Sequence, residues 1–123
     1  MHTKLVDKKT GDSVTTTIVS DGVKNTVYLV SGVIKNNSVF NVIDLSKLAG
    51  IPKELRLDGL LFTIESGLTV VLHYRDQPYV IPLEGRSKMD LGWVGGVVGH
   101  EIDMVCKGTG AFFVVLDISK MGV

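Results

Sequence analysis

The side chains that could hold a metal ion are few, and their spacing does not bring them together. His100, Glu101 and Asp103 form the densest group of potential ligands. In an extended strand Glu101 and Asp103 share one face while His100 lies on the other. The three can therefore converge only if the strand bulges after Gly99. The spacing predicts no metal site.

Nucleophilic catalysis also lacks a recognisable arrangement. No histidine accompanies a GxSxG motif or a cysteine signature, and His73 lies within a strand-like segment where a surface role is expected. The glycines between positions 92 and 99 read GxxGGxxG, without the Lys-Ser/Thr ending of a phosphate-binding loop. We expect them to let a loop bend around Trp93, which would cover the core or meet a partner. The sequence predicts neither an enzyme nor a bound cofactor.

The composition limits the classes of partner. The 123 residues include 13 basic and 13 acidic side chains, with no basic stretch interleaved with aromatics, so nucleic-acid binding is not expected. No apolar run is long enough for a membrane span, and no signal-peptide-like run follows Met1. Cys106 has no second cysteine to pair with, which fits synthesis in a reducing cytoplasm. A neutral net charge gives little protection against association and favours a protein that works in an assembly.

Alternating apolar residues predict strands along most of the chain. Residues 14–19 are all β-branched, and residues 27–30 follow after Ser20-Asp21-Gly22, a strong hairpin signal. Residues 60–65 and 68–74 alternate on either side of Ser66-Gly67, which predicts a second hairpin with a two-residue loop. In a third strand that follows, Pro82 removes a backbone donor and predicts an edge position.

These elements predict an all-β, single-domain antiparallel β-sandwich, most simply a jelly roll of about eight strands. A polar arm at residues 1–12, or an edge segment, precedes the sandwich domain at residues 13–123. Residues 45–50 predict one short helix, ended by Gly50 and Pro52. Residues 84–99 lack a pattern and predict a long loop that serves as a contact surface.

The last strand carries the strongest hint of assembly. Phe112, Val114 and Leu116 are predicted to face the core, which leaves Phe113 and Val115 on the outer side. Large apolar side chains on that side indicate either a strand at the centre of a two-layer packing or contact with another subunit. The sequence leaves both alternatives open.

Four segments together carry a resemblance to a known class of protein: the polar N-terminal arm, residues 57–70, Gly92-Trp93 and residues 112–118. They resemble small structural proteins of tailed-bacteriophage virions, most of all the jelly-roll decoration, or cement, proteins of capsids. The resemblance implies a protein that is made in the host cytoplasm and binds the major capsid protein on the capsid surface. It also implies a dimer or trimer that bridges shell subunits and holds the shell against the pressure of packaged DNA, with avidity multiplying a modest contact.

Under that resemblance, expected exposure selects the contact residues. The arm and the loop of residues 86–99 would meet the capsid through Leu5, Val6, Arg86, Lys88, Trp93 and Val94. Phe113 and Val115 would serve self-association.

Two other functions remain as alternatives. A carbohydrate- or ligand-binding β-sandwich would use Trp93, Tyr74, Tyr79 and His73 as a stacking platform. An enzyme of cupin type would need histidines that converge from neighbouring strands, and His73 and His100 are too few.

Overall fold

A computed structural model of the chain describes residues 2–22, 24–44, 48, 52–92 and 95–121. These residues form eleven strands and no α-helix, and none of them belongs to a helix that could cross a bilayer. The strands are β1 His2–Val6, β2 Ser13–Asp21, β3 Asn25–Ile34, β4 Ser38–Asp44, β5 Glu54–Ile64, β6 Leu68–Tyr74, β7 Val80–Leu83, β8 Arg86–Asp90, β9 Val97–Gly99, β10 Glu101–Gly108 and β11 Gly110–Met121.

The strands form two antiparallel sheets. One has seven strands in the order β1-β2-β3-β11-β5-β8, with β9 also paired to β5, and the other has four in the order β4-β10-β6-β7. From β3 onward the chain passes repeatedly from one sheet to the other, and β8 and β9 share one edge position beside β5. Eight strand positions joined in this way make a jelly roll, which confirms the predicted fold class. Strands β1 and β2 extend one sheet beyond it.

The core lies between the two sheets because apolar residues alternate with more exposed ones along most strands. Their inward side chains form one continuous cluster. Its fully buried members include Val30, Leu57, Val114, Leu116 and Ile118 of the seven-stranded sheet and Leu72, Tyr74, Leu83, Ile102, Met104 and Cys106 of the four-stranded sheet. Phe112, Val114 and Leu116 of the last strand are all buried, which confirms their predicted inward orientation.

One of the two predicted hairpins is confirmed and the other is wrong. β2 and β3 pair across the turn at Asp21 and Gly22. By contrast, β5 and β6 belong to different sheets, and the turn between them is a corner of the sandwich. At this corner the N–H of Leu68 donates to the carbonyl of Glu65 at 3.2 Å, and Gly67 has a φ of 96°. An alternating pattern shows which face of a strand is buried but not which strand lies beside it.

Four further predictions concern the ends and connections of the sandwich. β7, which contains Pro82, lies at a sheet edge as predicted. Residues 84–99 are not a structureless loop as predicted, since β8 and β9 lie within them. The polar N-terminal segment provides the edge strand β1, which is the second of its two possible roles. The short helix predicted for residues 45–50 lies outside the described residues except for Leu48, which is buried.

Asp12 ties the two sheets together at one end. Asp12 is only 7% exposed, and its carboxylate accepts hydrogen bonds from the backbone N–H groups of Lys35 (3.2 Å) and Asn36 (2.8 Å) and from Ser38 Oγ (2.8 Å). These donors lie in the turn that carries the chain from β3 to β4, and so from one sheet to the other. Burial raises the pKa of Asp12, but the hydrogen bonds outweigh it and hold the pKa below its ordinary value.

Candidate functional site

The outward side of the seven-stranded sheet, here called the wide face, carries a row of apolar side chains. On three neighbouring strands, Leu29, Val115 and Leu61 lie directly opposite one another. One pleat along β11, Phe113 is 38% exposed, and Leu61 is 43% exposed. A second short row contains Val33, which is 57% exposed and pairs with Ala111. Outward apolar groups in adjacent positions form a continuous patch and not isolated surface residues.

Two cations lie at one margin of the wide face. β8 pairs with β5 so that Lys88 lies opposite Leu61 and Arg86 lies opposite Thr63. Directly opposed residues share a sheet face, so both cations point to the same side as Phe113 and Val115. Leu61, Lys88 and Val115 line a shallow groove of about 460 Å³. Asp90 and Asp117 also line this groove, so the wide face combines apolar contact area with a margin that carries charges of both signs.

The wide face gathers most of the contact residues predicted from the sequence. They are Val6, Arg86, Lys88, Phe113 and Val115, with Val6 in the row of Ser13 and Val33. Leu5 instead points inward and packs against the core. Trp93 and Val94 lie outside the described residues. The prediction missed Leu29 and Val33, although their alternation with the buried Tyr28, Val30 and Ile34 gave the signal.

The opposite end of the wide face is polar. Arg56 forms an ion pair with Asp58, with 2.6 Å between Nε and Oδ1, and Arg56 Nη2 donates to Ser119 Oγ at 3.2 Å. Ser119 Oγ also bonds the Asp58 carboxylate. This cluster satisfies its own charges, so the contact surface of the wide face is its apolar half.

The outward side of the four-stranded sheet, here called the narrow face, has its own apolar row. It runs across all four strands through Val39, Val105, Val71 and Pro82, which lie directly opposite one another. Val39 is 52% exposed, and Val105 and Val71 are half-buried. The narrow face is thus a second candidate for contact with another protein.

Charged side chains border that row on both sides. Asp103 accepts hydrogen bonds from Arg75 Nε at 2.9 Å and from Asn41 Nδ2 at 3.0 Å, and Arg75 also reaches Glu101 at 3.5 Å. The hydrogen bond and charge of Asp103 raise the pKa of Arg75. On the other side of the row, Lys107 is exposed. One border is therefore net negative and the other positive.

The groups considered for catalysis or ligand stacking do not assemble into one site. The ring of His100 bonds the Asp76 carboxylate, while His73 is exposed on the outer side of β6. Burial raises the pKa of Asp76, but bonds from the backbone and ring of His100 outweigh it and lower the pKa. No group of three or more His, Cys, Asp or Glu suited to a metal ion occurs within the described part of the chain.

The proposed stacking platform of Trp93, Tyr74, Tyr79 and His73 is not assembled by the described residues. Tyr74 is fully buried, and its hydroxyl donates to the carbonyl of Val97 at 3.1 Å. That burial raises the pKa of Tyr74. Tyr79 contacts it edge to face, with 6.0 Å between ring centroids, and is itself 45% exposed. Tyr74 and His73 point to opposite sides of one strand, so they cannot present a common surface.

Comparison with known proteins gives no family for this chain. No protein-family model and no curated protein matches it. One solved structure, a cupin superfamily protein from Desulfitobacterium hafniense DCB-2, aligns with 88% of this chain and 77% of its own. The identity is 16% and the TM-score 0.41, and a likeness at that level carries no argument about family or activity.

Proposed function

We propose that this chain is a non-catalytic structural protein of the virion that binds the outside of an assembled tailed-bacteriophage capsid through its wide face. The observation that carries the proposal is the apolar row of Leu29, Val115 and Leu61, extended by Phe113 and bordered by Lys88. The jelly-roll fold and the resemblance of the sequence to capsid decoration proteins support the finer assignment to a virion.

The composition of the wide face defines the chemistry of its partner. Burial of the exposed parts of Leu61, Phe113 and Val33 supplies the favourable free energy, since removal of apolar surface from water drives most protein association. Arg86 and Lys88 favour carboxylates on the partner, and the exposed Asp90 and Asp117 beside them favour cations. A shell subunit of that character would be recognised at every equivalent position of the lattice.

A second copy of the chain is a poor partner for the wide face. With a two-fold axis along the row of Val115, Lys88 of one copy would lie over Lys88 of the other, and Phe113 would lie over Asp117. An axis along the row of Phe113 would place Arg86 over Arg86 in the same way. Like charges placed opposite each other cost binding free energy, so the wide face fits a different protein better than itself.

Co-sedimentation with purified capsids tests the proposal. The double variant L61S/F113S should bind about 10- to 100-fold more weakly than the unmodified chain, because two apolar contacts at the centre of an interface are lost. The matched control is V19S, since Val19 is 62% exposed but lies in the bulge of β2 and not in an apolar row. The control should bind as the unmodified chain does. Equal binding of the double variant, or no binding by the unmodified chain, would refute the proposal.

A further inference from the structure

We infer that the narrow face binds a second copy of this chain, face to face, about a two-fold axis that runs along the row of Val39, Val105, Val71 and Pro82. This inference goes beyond the proposed function, because it assigns a partner to the face that the proposed capsid contact leaves free. It is tested without any capsid, so its failure and that of the proposed function are distinguishable.

The charges along β10 are arranged for such pairing. Asp103 and Lys107 lie two residues before and two residues after Val105, and all three point outward. A two-fold axis through Val105, perpendicular to β10, therefore places Lys107 of each copy over Asp103 of the other. One symmetry operation creates two opposite-charge pairs on either side of a self-packing valine.

The neighbouring strand β6 fits the same axis. On β6, Val71 lies opposite Val105, with Thr69 opposite Lys107 and His73 opposite Asp103. The axis would place His73 of one copy over Thr69 of the other, where a hydrogen bond can form. Val39 and Pro82 lie on the axis row at its two ends, so apolar groups meet apolar groups along its whole length.

The net charge at the acidic border strengthens the pairing. Arg75 bridges Asp103 and Glu101, so that three-residue group carries one positive and two negative charges at neutral pH. A cation from the second copy is therefore attracted to the group even though Asp103 is already paired. Lys107 supplies that cation, because it is exposed at the opposite border.

The size of the narrow face sets the expected strength. Four strands at the usual spacing and the length of β10 give a contact of about 500 Å² per copy, or about 1,000 Å² in total. That area lies at the lower limit for a specific interface and predicts a weak dimer.

The edges of the four-stranded sheet favour contact through the face. At one edge the backbone N–H of Val39 donates to the Asp7 carboxylate at 3.0 Å, which occupies a donor that an added strand would need. At the other edge Pro82 has no N–H to offer. Edge-to-edge association is hindered at both sides, so the outer face is the surface that remains for pairing.

The test is a charge exchange measured by sedimentation equilibrium over a wide range of concentrations. K107E and D103K should each dimerise at least about tenfold more weakly than the unmodified chain, because each variant places like charges together twice. A one-to-one mixture of the two variants should restore dimerisation, since the exchanged charges are complementary between the K107E copy and the D103K copy. Circular dichroism checks that both variants fold.

The matched control is K88E, which makes the same charge change on the wide face and should leave dimerisation unaltered. Three results would overturn the inference: an unmodified chain that stays monomeric up to about 1 mM, dimerisation of K107E equal to that of the unmodified chain, or loss of dimer in K88E equal to that in K107E. If D103K does not fold, K107E against K88E decides the question.

Discussion

The two outer faces of the sandwich are alike in apolar character and differ in how their charges are arranged. Both carry a row of directly opposed apolar side chains, centred on Val115 in the wide face and on Val105 in the narrow face. In the wide face the cation Lys88 lies in line with the row, whereas in the narrow face Asp103 and Lys107 stand at equal distances on either side of it. The position of a charge relative to a symmetry axis, more than its sign, separates a surface for self-association from a surface for a different protein.

The two faces keep their arrangement only while the two sheets stay packed against each other. Asp12 stabilises that packing at one end of the sandwich. D12A should lower the free energy of unfolding by about 2–4 kcal/mol, because it removes the charged acceptor of the backbone N–H groups of Lys35 and Asn36 and of the buried hydroxyl of Ser38. Urea denaturation followed by tryptophan fluorescence measures the change. This is the largest effect that we predict.

The control for this variant is D117A, which removes an exposed carboxylate from the wide face and should change stability by less than about 0.5 kcal/mol. The loss of stability at low pH provides a second measurement of the role of Asp12. The folded-state pKa of Asp12 lies below its ordinary value of 3.8, so its contribution is fully present above about pH 4 and is lost as the pH falls through the lowered folded pKa. D12A should therefore lose less stability on acidification than the unmodified chain, and an equal loss would contradict the assigned role.

The sequence predicts the faces of strands far better than the neighbours of strands. Alternation correctly predicts the inward positions of β11, and turn chemistry correctly predicts the hairpin at Asp21 and Gly22. The sequence at Ser66 and Gly67 predicts a hairpin where the structure has a corner, because a tight turn between two alternating strands has the same local pattern in both cases. Only the packing of the whole chain decides which strand lies beside which.

Edge strands are the other place where sequence patterns fail. β8 has a single half-buried side chain, Met89, among exposed residues, since an edge strand with little core contact needs no alternation. For that reason the sequence predicts Arg86 and Lys88 as exposed cations but places them in a loop. The candidate face was thus predictable in its residue types, while the row that unites these cations with Leu61 and Val115 required the register of β5 with β8 and β11.

Chemical cross-linking tests whether two copies of the chain meet through the narrow face and not through the wide face. With a short bis-maleimide, V105C should become mostly dimeric at a protein concentration where F113C stays mostly monomeric, because Val105 lies on the proposed two-fold axis and Phe113 does not. Denaturing electrophoresis measures the dimeric fraction. Equal cross-linking of the two variants would remove the distinction between the faces.

The native thiol does not interfere with this experiment. Burial, together with the nearby charge of Asp12, raises the pKa of Cys106 to about 12. The thiol therefore stays protonated at neutral pH, and it is also fully buried, so it should react slowly with maleimides. The unmodified chain should remain uncross-linked throughout.

The smallest predicted effect separates the two faces by their response to salt. Raising the salt concentration from about 50 to 500 mM should weaken both capsid binding and dimerisation by a factor of about two to five, since exposed ion pairs contribute little and are screened. R86Q/K88Q should remove most of the salt dependence of capsid binding and leave that of dimerisation unchanged, while K107Q should do the reverse. If one variant altered the salt dependence of both equilibria equally, the charges would act through the overall field of the protein, and the assignment of each face to a different partner would be wrong.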